Sequence, residues 1–141
     1  MSRLPLVVFP RTVAAMWVTT IAAFAQDLPD PLAAGWQGEP VCECLHRDER
    51  QRILRCSFAP GVGHERHFHP PHVGYVLQGG QMQITDASGT RVQDVASAIT
   101  FANPEGIAWH VTVNVGENTA SYLMIETAPE DQVPLACPPN S

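Results

Sequence analysis

The sequence contains no lysine, and all eight of its basic residues are arginines. These arginines are outnumbered by 14 acidic residues, which gives a formal net charge of −6 at pH 7. Proteins that follow a nucleic-acid backbone carry clustered basic residues, because phosphate contacts supply much of their affinity. The acidic balance therefore excludes nucleic acid as a partner.

Long hydrophobic runs are also missing, apart from an apolar stretch at residues 13–23. That stretch follows two arginines and leads to Ala23-Phe24-Ala25, a small-x-small pattern typical of signal-peptidase sites. It is shorter than the roughly 20 residues that a membrane-spanning helix needs. Residues 1–25 are therefore predicted to be a signal peptide cleaved after Ala25, with an uncleaved anchor as the alternative. We expect a periplasmic or secreted protein that has no membrane contact after cleavage.

Helical periodicity is absent after the predicted signal peptide, where no long window repeats apolar residues every three to four positions. Instead, this part of the sequence contains short β-type runs separated by turn-forming residues. The runs are residues 41–46, 52–59, 72–78, 81–86, 91–95, 98–102, 108–115 and 120–126. Strands this short and evenly spaced are typical of a β-sandwich or β-barrel rather than of alternating βα units. The sequence therefore predicts an all-β fold.

The two ends of the exported chain differ in composition from its middle. Residues 26–40 are rich in proline and glycine, and residues 129–141 are rich in proline. We expect an extended leader, one β-domain over residues 41–128, and a tail that lies on the surface. Several predicted strands are apolar on both faces. A second sheet or the leader can cover the outer face, but we favour the partner in a homodimer.

The four cysteines all follow the predicted cleavage site, and an oxidising compartment permits disulfides there. If the two strands on either side of Glu49 form a hairpin, Cys42 faces Cys56 across it. Cys44 is then available to Cys137 on the tail. Buried free thiols are the competing interpretation, because an even number of cysteines does not determine a pairing.

Four of the six histidines lie close together, at positions 64, 67, 69 and 72. In an extended segment His67 and His69 point to the same side, so their imidazoles can converge on one ion. The proline pair that follows interrupts the strand, and His72 can then face the same cavity from the next strand. His110 is the fourth candidate ligand. A pH-sensitive patch and ordinary core histidines are the competing interpretations.

Two sequence motifs surround these histidines in order. The pattern G-x5-H-x-H, closed by a later glycine, is met by Gly61, His67, His69 and Gly79. The pattern P-x-G followed by H-x3-N is met by Pro104, Gly106, His110 and Asn114. Together these motifs resemble those of the cupin superfamily over most of residues 55–126. The sequence departs from the family pattern in four ways. His72 replaces a glutamate, and the gap between His69 and His72 is one residue shorter than the motif allows. The gap from Gly106 to His110 is one residue longer, and Ala98 replaces a glycine.

The resemblance implies a single-domain, cupin-type β-barrel or jelly roll of short antiparallel strands. It also implies one divalent transition metal, with iron, manganese or copper favoured and zinc or nickel as alternatives. His67, His69 and His110 match the ligand positions of the motifs directly. His72 is assigned as the fourth ligand, provided that the proline kink brings it round to the site.

Two neighbours of the ligands also carry functional groups. Glu65 is the candidate catalytic residue, as a general base at the rim of the site. His64 is interpreted as a solvated loop residue, with an outer-shell role beside the metal as the alternative.

The leading functional hypothesis is an exported, metal-dependent enzyme that carries out an oxygenase-type reaction on a small molecule. The alternative is a non-catalytic cupin that binds a metal or a small ligand. Resemblance in fold does not choose the reaction, because function depends on the site.

Overall fold

The computed structural model describes residues 28–138, so the predicted signal peptide and its cleavage site lie outside the described residues. The described chain forms eleven β-strands: β1 (Gly35–Trp36), β2 (Glu39–Pro40), β3 (Cys42–Arg47), β4 (Gln51–Phe58), β5 (Gly63–His69), β6 (His72–Gln78), β7 (Gly80–Asp86), β8 (Gly89–Val95), β9 (Thr100–Asn103), β10 (Ile107–Asn114) and β11 (Ala120–Thr127). Within residues 28–138 there is no helix with the length and hydrophobicity to span a membrane.

The strands form two main sheets, and every pairing between neighbouring strands is antiparallel. One sheet has four strands in the order β5-β10-β7-β8, and the other has five in the order β3-β4-β11-β6-β9. The short hairpin β1-β2 forms a separate two-stranded sheet. Consecutive strands such as β5 and β6 lie in different sheets, so the chain crosses between sheets as a jelly roll does. The predicted all-β architecture is confirmed.

The core lies on the inner faces of the two sheets. Along β4, burial alternates so that Arg52, Leu54, Cys56 and Phe58 point inward. The rest of the buried hydrophobic cluster consists of Cys42 of β3, Met82 of β7, and Ala120 and Met124 of β11. On the outer face of β6, Val73, Tyr75 and Leu77 remain exposed.

Two strand regions differ from the sequence analysis. Residues 63–69 form β5. The histidine spacing treats part of this segment as extended, but the segment is not among the β-type runs, because charged and imidazole side chains conceal the usual apolar alternation. The leader contains the hairpin β1-β2, whose turn places Gln37 and Gly38 at φ 55° and 88°. Glycine adopts such positive φ values without steric cost, which suits this tight turn.

Both expected disulfides are present. Cys42 and Cys56 lie directly opposite each other on β3 and β4, and they are bonded. Cys44 is bonded to Cys137, which lies on the tail. Arg47 also donates hydrogen bonds to the carbonyl oxygens of Pro134 and Leu135, and Arg52 donates one to that of Ala136, so the disulfide and three hydrogen bonds hold this part of the tail against the sheet.

Candidate metal centre

Three of the predicted ligands come from adjacent strands of the four-stranded sheet. His67 and His69 project from the same side of β5, and His110 of β10 lies directly opposite His67. Bulges interrupt the register between these strands, with shifts on both sides of His110. A bulge re-aims the side chains around it, and here it leaves all three imidazoles on the inner side.

The three imidazoles converge through their Nε2 atoms. The Nε2 of His67 lies 2.9 Å from that of His69 and 3.1 Å from that of His110. The His69 and His110 nitrogens are also 3.1 Å apart. Protein-bound transition metals bind imidazole nitrogen at about 2.0–2.1 Å, which is compatible with one ion held by all three atoms. This group satisfies the spacing expected of a metal site.

Hydrogen bonds at the Nδ1 atoms of His67 and His69 leave the Nε2 lone pairs of these two rings free. Nδ1 of His67 donates to the carbonyl oxygen of Glu65 at 2.5 Å, and Nδ1 of His69 donates to a carboxylate oxygen of Glu126 at 3.4 Å. Both rings therefore carry their proton on Nδ1 and present Nε2 as an acceptor. Two acceptors that face each other cannot share a hydrogen bond, whereas a cation between them is bound by both. The donor set therefore fits a metal ion.

A buried ion pair contacts His69 on the Nδ1 side of its ring. Glu126 of β11 lies opposite Arg52 of β4, and its Oε2 is 2.6 Å from Nη2 of Arg52. The Nη1 of the same guanidinium donates to the carbonyl oxygen of Ala136 at 2.8 Å and lies 3.2 Å from Oδ2 of Asp30. Metal-bound histidines usually donate their second N–H to such an acceptor, which orients the ring.

Burial keeps the ligand imidazoles neutral. It lowers the pKa of His67 and holds the pKa of His69 well below its usual value. Burial, together with the neighbouring His69 and His67, lowers the pKa of His110 to about 2. Burial raises the pKa of Glu126, while the Arg52 guanidinium opposes that rise. Neutral imidazoles retain the lone pairs that a metal requires.

His72 is close to this group but is not part of it. Its ring centroid lies 5.0 Å from that of His69. Its Nδ1 donates to the carbonyl oxygen of Pro70 at 2.9 Å, and its Nε2 accepts a hydrogen bond from the Asn103 side chain at 3.0 Å. The proline pair does turn His72 into the cavity, as the sequence analysis required, yet both ring nitrogens already have partners.

Glu65 is not brought to the histidines. Its side chain is exposed, and its Oε1 accepts a hydrogen bond from the backbone N–H of Gln37 at 2.9 Å in the β1-β2 turn. Glu65 and Arg66 are both exposed because the bulge in β5 adds a residue between the inward-facing His64 and His67.

The interpretation of His64 as a solvated loop residue is wrong. His64 is 2% exposed, and its ring stacks on His67 with a centroid separation of 3.7 Å. Its Nε2 lies 3.0 Å from the carbonyl oxygen of Pro31. Burial, followed by the neighbouring His67 and His69, lowers its pKa to about 3. The side chain therefore supports the ligand His67 by packing.

The three candidate ligands form part of the wall of a cavity of about 400 Å³. Much of the remaining wall is apolar and includes Phe58, Met82, Ile84, Val95, Phe101, Tyr122 and Met124. Asp86 and Arg91 also line the cavity and form an exposed ion pair, with 2.7 Å between Oδ2 and Nη1. Cavities of this size and character are typical of small-molecule binding sites.

A solved cupin structure resembles this chain in fold. A cupin domain from Bordetella pertussis Tohama I superimposes with a TM-score of 0.59 at 19% sequence identity, covering 63% of this chain and 93% of that chain. The chain has the cupin fold.

Two further cupins superimpose less closely. A cupin superfamily protein from Desulfitobacterium hafniense has a TM-score of 0.48 and 21% identity, over 62% of this chain and 76% of its own. An RmlC-like cupin with a double-stranded β-helix fold, from Methanocaldococcus jannaschii, has a TM-score of 0.49 and 15% identity, over 62% and 78%. No protein-family model and no curated protein matches this chain.

One departure of this chain from the cupin motif has a structural consequence, and one glycine of the motif is retained beside the site. Ala98, which replaces a glycine, adopts a φ of 60°, a left-handed conformation that glycine reaches more easily. Gly106 keeps its glycine at φ 74°, where a Cβ atom would lie 2.5 Å from the carbonyl oxygen of His69. This glycine therefore allows β10 to start directly beside a ligand.

Sequence reasoning missed the Arg52–Glu126 pair. The signal was the position of each charge within its strand. Arg52 has the inward parity of Leu54, and Glu126 has the inward parity of Met124. A charge on the inner face of a strand is costly unless it is paired, and opposite charges at matching positions of two strands indicate such a pair.

Proposed function

We propose that this cupin is a metal-dependent enzyme that carries out an oxygenase-type reaction on a small molecule bound in its cavity. The observation that carries the proposal is the convergence of three Nε2 atoms, within 3.1 Å of one another, at the wall of that cavity. Three protein ligands leave other coordination positions of a transition metal available to a substrate. Bound iron, manganese or copper supplies both a Lewis acid and a redox centre.

The side chains around the site have separate tasks in this proposal. His67, His69 and His110 hold the ion, while Glu126 and the carbonyl oxygen of Glu65 orient two of the rings. The apolar cavity wall excludes water from the bound molecule. Burial raises the pKa of Tyr122, which lines the cavity, to about 12, so its hydroxyl stays protonated and can donate to the substrate.

The alternative function is a binding protein that holds a metal or a small ligand without converting it. Asp86 is the one carboxylate among the described residues that line the cavity. Hydrogen bonds from Ser88, together with Arg91, lower its pKa to about 2, so it is a weak base. A cavity with few groups able to accept a proton at neutral pH favours binding over acid–base chemistry.

The first test is the metal content of protein purified without an affinity tag or added metal. We expect about one transition-metal ion per chain, and we expect His67→Ala and His110→Ala to lose it. His46→Ala is the matched control, since it removes an imidazole that is 52% exposed on the β3-β4 hairpin. Unchanged metal content in both ligand variants would refute the proposed metal site.

A second measurement separates the enzyme from the binding protein. Oxygen consumption is followed in metal-containing protein with a panel of enols and catechols, and His67→Ala serves as the blank. Turnover that depends on His67 supports the enzyme. Binding of panel compounds without oxygen consumption, at full metal content, supports the binding protein.

We also infer that the protein acts outside the bacterial cytoplasm. The two disulfides support this inference, because structural disulfides persist in oxidising compartments. The test expresses the full chain in a bacterial host and determines the mass of the protein released from the periplasm. A mature chain that begins at Gln26 is expected, and full-length protein retained in the cytoplasm would contradict the inference.

A further inference from the structure

Seven ring-bearing side chains form a closed circuit of neighbours along the cavity wall. The ring centroid of His67 lies 3.7 Å from that of His64 and 4.7 Å from that of His69. From His69 the circuit continues to His72 at 5.0 Å and then to Phe101 at 6.0 Å. It closes through Tyr122 and Phe58, with the remaining three separations between 5.9 and 6.4 Å.

All seven rings line the same cavity, and they come from both sheets. The three histidines of β5 belong to the four-stranded sheet. The other four rings come from consecutive strands of the five-stranded sheet: Phe58 from β4, Tyr122 from β11, His72 from β6 and Phe101 from β9. The rings therefore come from the opposing sheets, and these sheets, rather than mobile loops, hold them in place.

The position of Phe101 shows how closely this wall is built. Phe101 lies directly opposite Gly74 in the β6-β9 pair, and its ring covers that glycine. A Cβ atom at Gly74 would collide with the Phe101 ring, so only glycine leaves room for the ring there. Tyr122 adds a hydroxyl group to the cavity wall. This hydroxyl makes no hydrogen bond with another residue of the described range 28–138.

We propose that the cavity recognises a planar aromatic ring carrying an oxygen substituent, and that the circuit formed by Phe58, His64, His67, His69, His72, Phe101 and Tyr122 is the recognition surface. Aromatic rings attract one another in offset and edge-to-face arrangements, beyond the effect of buried apolar area. A saturated ring of similar size buries similar area but lacks this attraction. The proposal names the substrate class of the proposed function and rests on it for the role of the cavity.

The test compares two probes of similar size that differ in the aromaticity of the ring, 4-methylphenol and trans-4-methylcyclohexanol, and the chelator-treated preparation separates recognition of the ring from coordination of the phenol oxygen to a metal. Binding is measured by isothermal titration calorimetry, first in protein as purified with its metal content recorded, and then after treatment with a chelator. We expect 4-methylphenol to bind about 2- to 10-fold more tightly in both preparations. Equal affinity for the two probes in both preparations overturns the proposal.

The two tyrosines of the chain provide matched variants. Tyr122→Leu removes a ring from the circuit and is expected to abolish most of the preference. Tyr75→Leu removes an exposed ring from the outer face of β6 and is expected to leave the preference intact. Tyr122→Phe retains the ring and should retain the preference, which controls for folding. An equal loss in Tyr122→Leu and Tyr75→Leu contradicts the proposal.

The outcomes also separate this proposal from the proposed function. A preference for the aromatic probe in protein that binds no metal supports the recognition surface and refutes the metal-dependent enzyme. Stoichiometric metal without any preference for the aromatic probe refutes the recognition surface and leaves the metal site in place.

Discussion

The Nδ1 atom of His69 lies 3.4 Å from Oε1 of Glu126, and this contact joins the candidate metal centre to the buried interior of the five-stranded sheet. The other oxygen of Glu126 is held by Arg52, which is fully buried. A ligand on one sheet is thus oriented by a charged pair on the other. The variants below follow from this arrangement and from the cavity beside it.

Glu126→Gln is expected to lower metal affinity about 10- to 100-fold. The amide no longer carries the charge that stabilises the Nδ1–H of His69, and Arg52 loses the nearer of its two ionic partners and keeps Asp30. Metal affinity is measured by competition with a chromogenic chelator. Glu43→Gln is the control, because Glu43 forms an exposed pair with Arg55 on the neighbouring strands and does not contact the site. Equal affinities of the two variants would argue against the role of Glu126.

Arg52→Met is expected to lower the free energy of unfolding by about 3–5 kcal/mol, since it leaves Glu126 buried without its cation. Arg55→Met, on the same strand but in an exposed pair, should cost less than about 1 kcal/mol. Urea denaturation monitored by tryptophan fluorescence measures both values. The double variant Arg52→Met/Glu126→Leu should recover part of the loss, because it removes the uncompensated charge as well.

His72→Ala is expected to retain stoichiometric metal, whereas His67→Ala loses it. Both nitrogens of His72 are hydrogen-bonded, to Pro70 and to Asn103, while the three Nε2 atoms of the ligand group face one another. The metal content of the two purified variants is measured to determine whether each histidine is a ligand. Complete loss of metal from folded His72→Ala protein would show that His72 turns to the ion and acts as the fourth ligand.

Tyr122 is expected to form its phenolate only near pH 12, because burial raises its pKa from 10.0 to about 12. The unfolded chain releases this proton earlier, so the contribution to stability is present below pH 10 and is lost between pH 10 and 12. The absorbance of the Tyr75→Phe variant at alkaline pH reports Tyr122 alone, since the chain has two tyrosines. Phenolate formation near pH 10 with native circular dichroism would contradict the prediction.

Removal of the two disulfides should have unequal effects. Cys44–Cys137 spans 93 residues and Cys42–Cys56 spans 14, so the longer loop restricts the unfolded chain more. The double alanine variant of Cys44 and Cys137 should lose about 4–5 kcal/mol, and that of Cys42 and Cys56 about 3 kcal/mol. Chemical denaturation of the two variants measures these losses. The reverse order would mean that packing of Cys56 in the core outweighs loop length.

Spacing along the chain was sufficient to predict most of the fold and the grouping of His67, His69 and His110. Alternation in β4 and β11 and the turn residues between strands predicted an all-β domain, and they predicted that Cys42 faces Cys56. The two-residue spacing of His67 and His69 predicted that their side chains share a face. These features depend on local backbone geometry, in which side chains alternate along an extended strand, and local geometry can be read from sequence.

Only the tertiary structure decided which residues support the ligands. The bulge in β5 turns His64 inward and Glu65 outward, and its position depends on pairing with β10, which is distant in sequence. The pairing of β4 with β11 brings Arg52 to Glu126, and the contact of Glu126 with His69 requires the two sheets to face each other. The ring circuit likewise depends on strands from both sheets. Alternation along one strand gives no information about which strand lies opposite, so these contacts were decided by packing between the sheets.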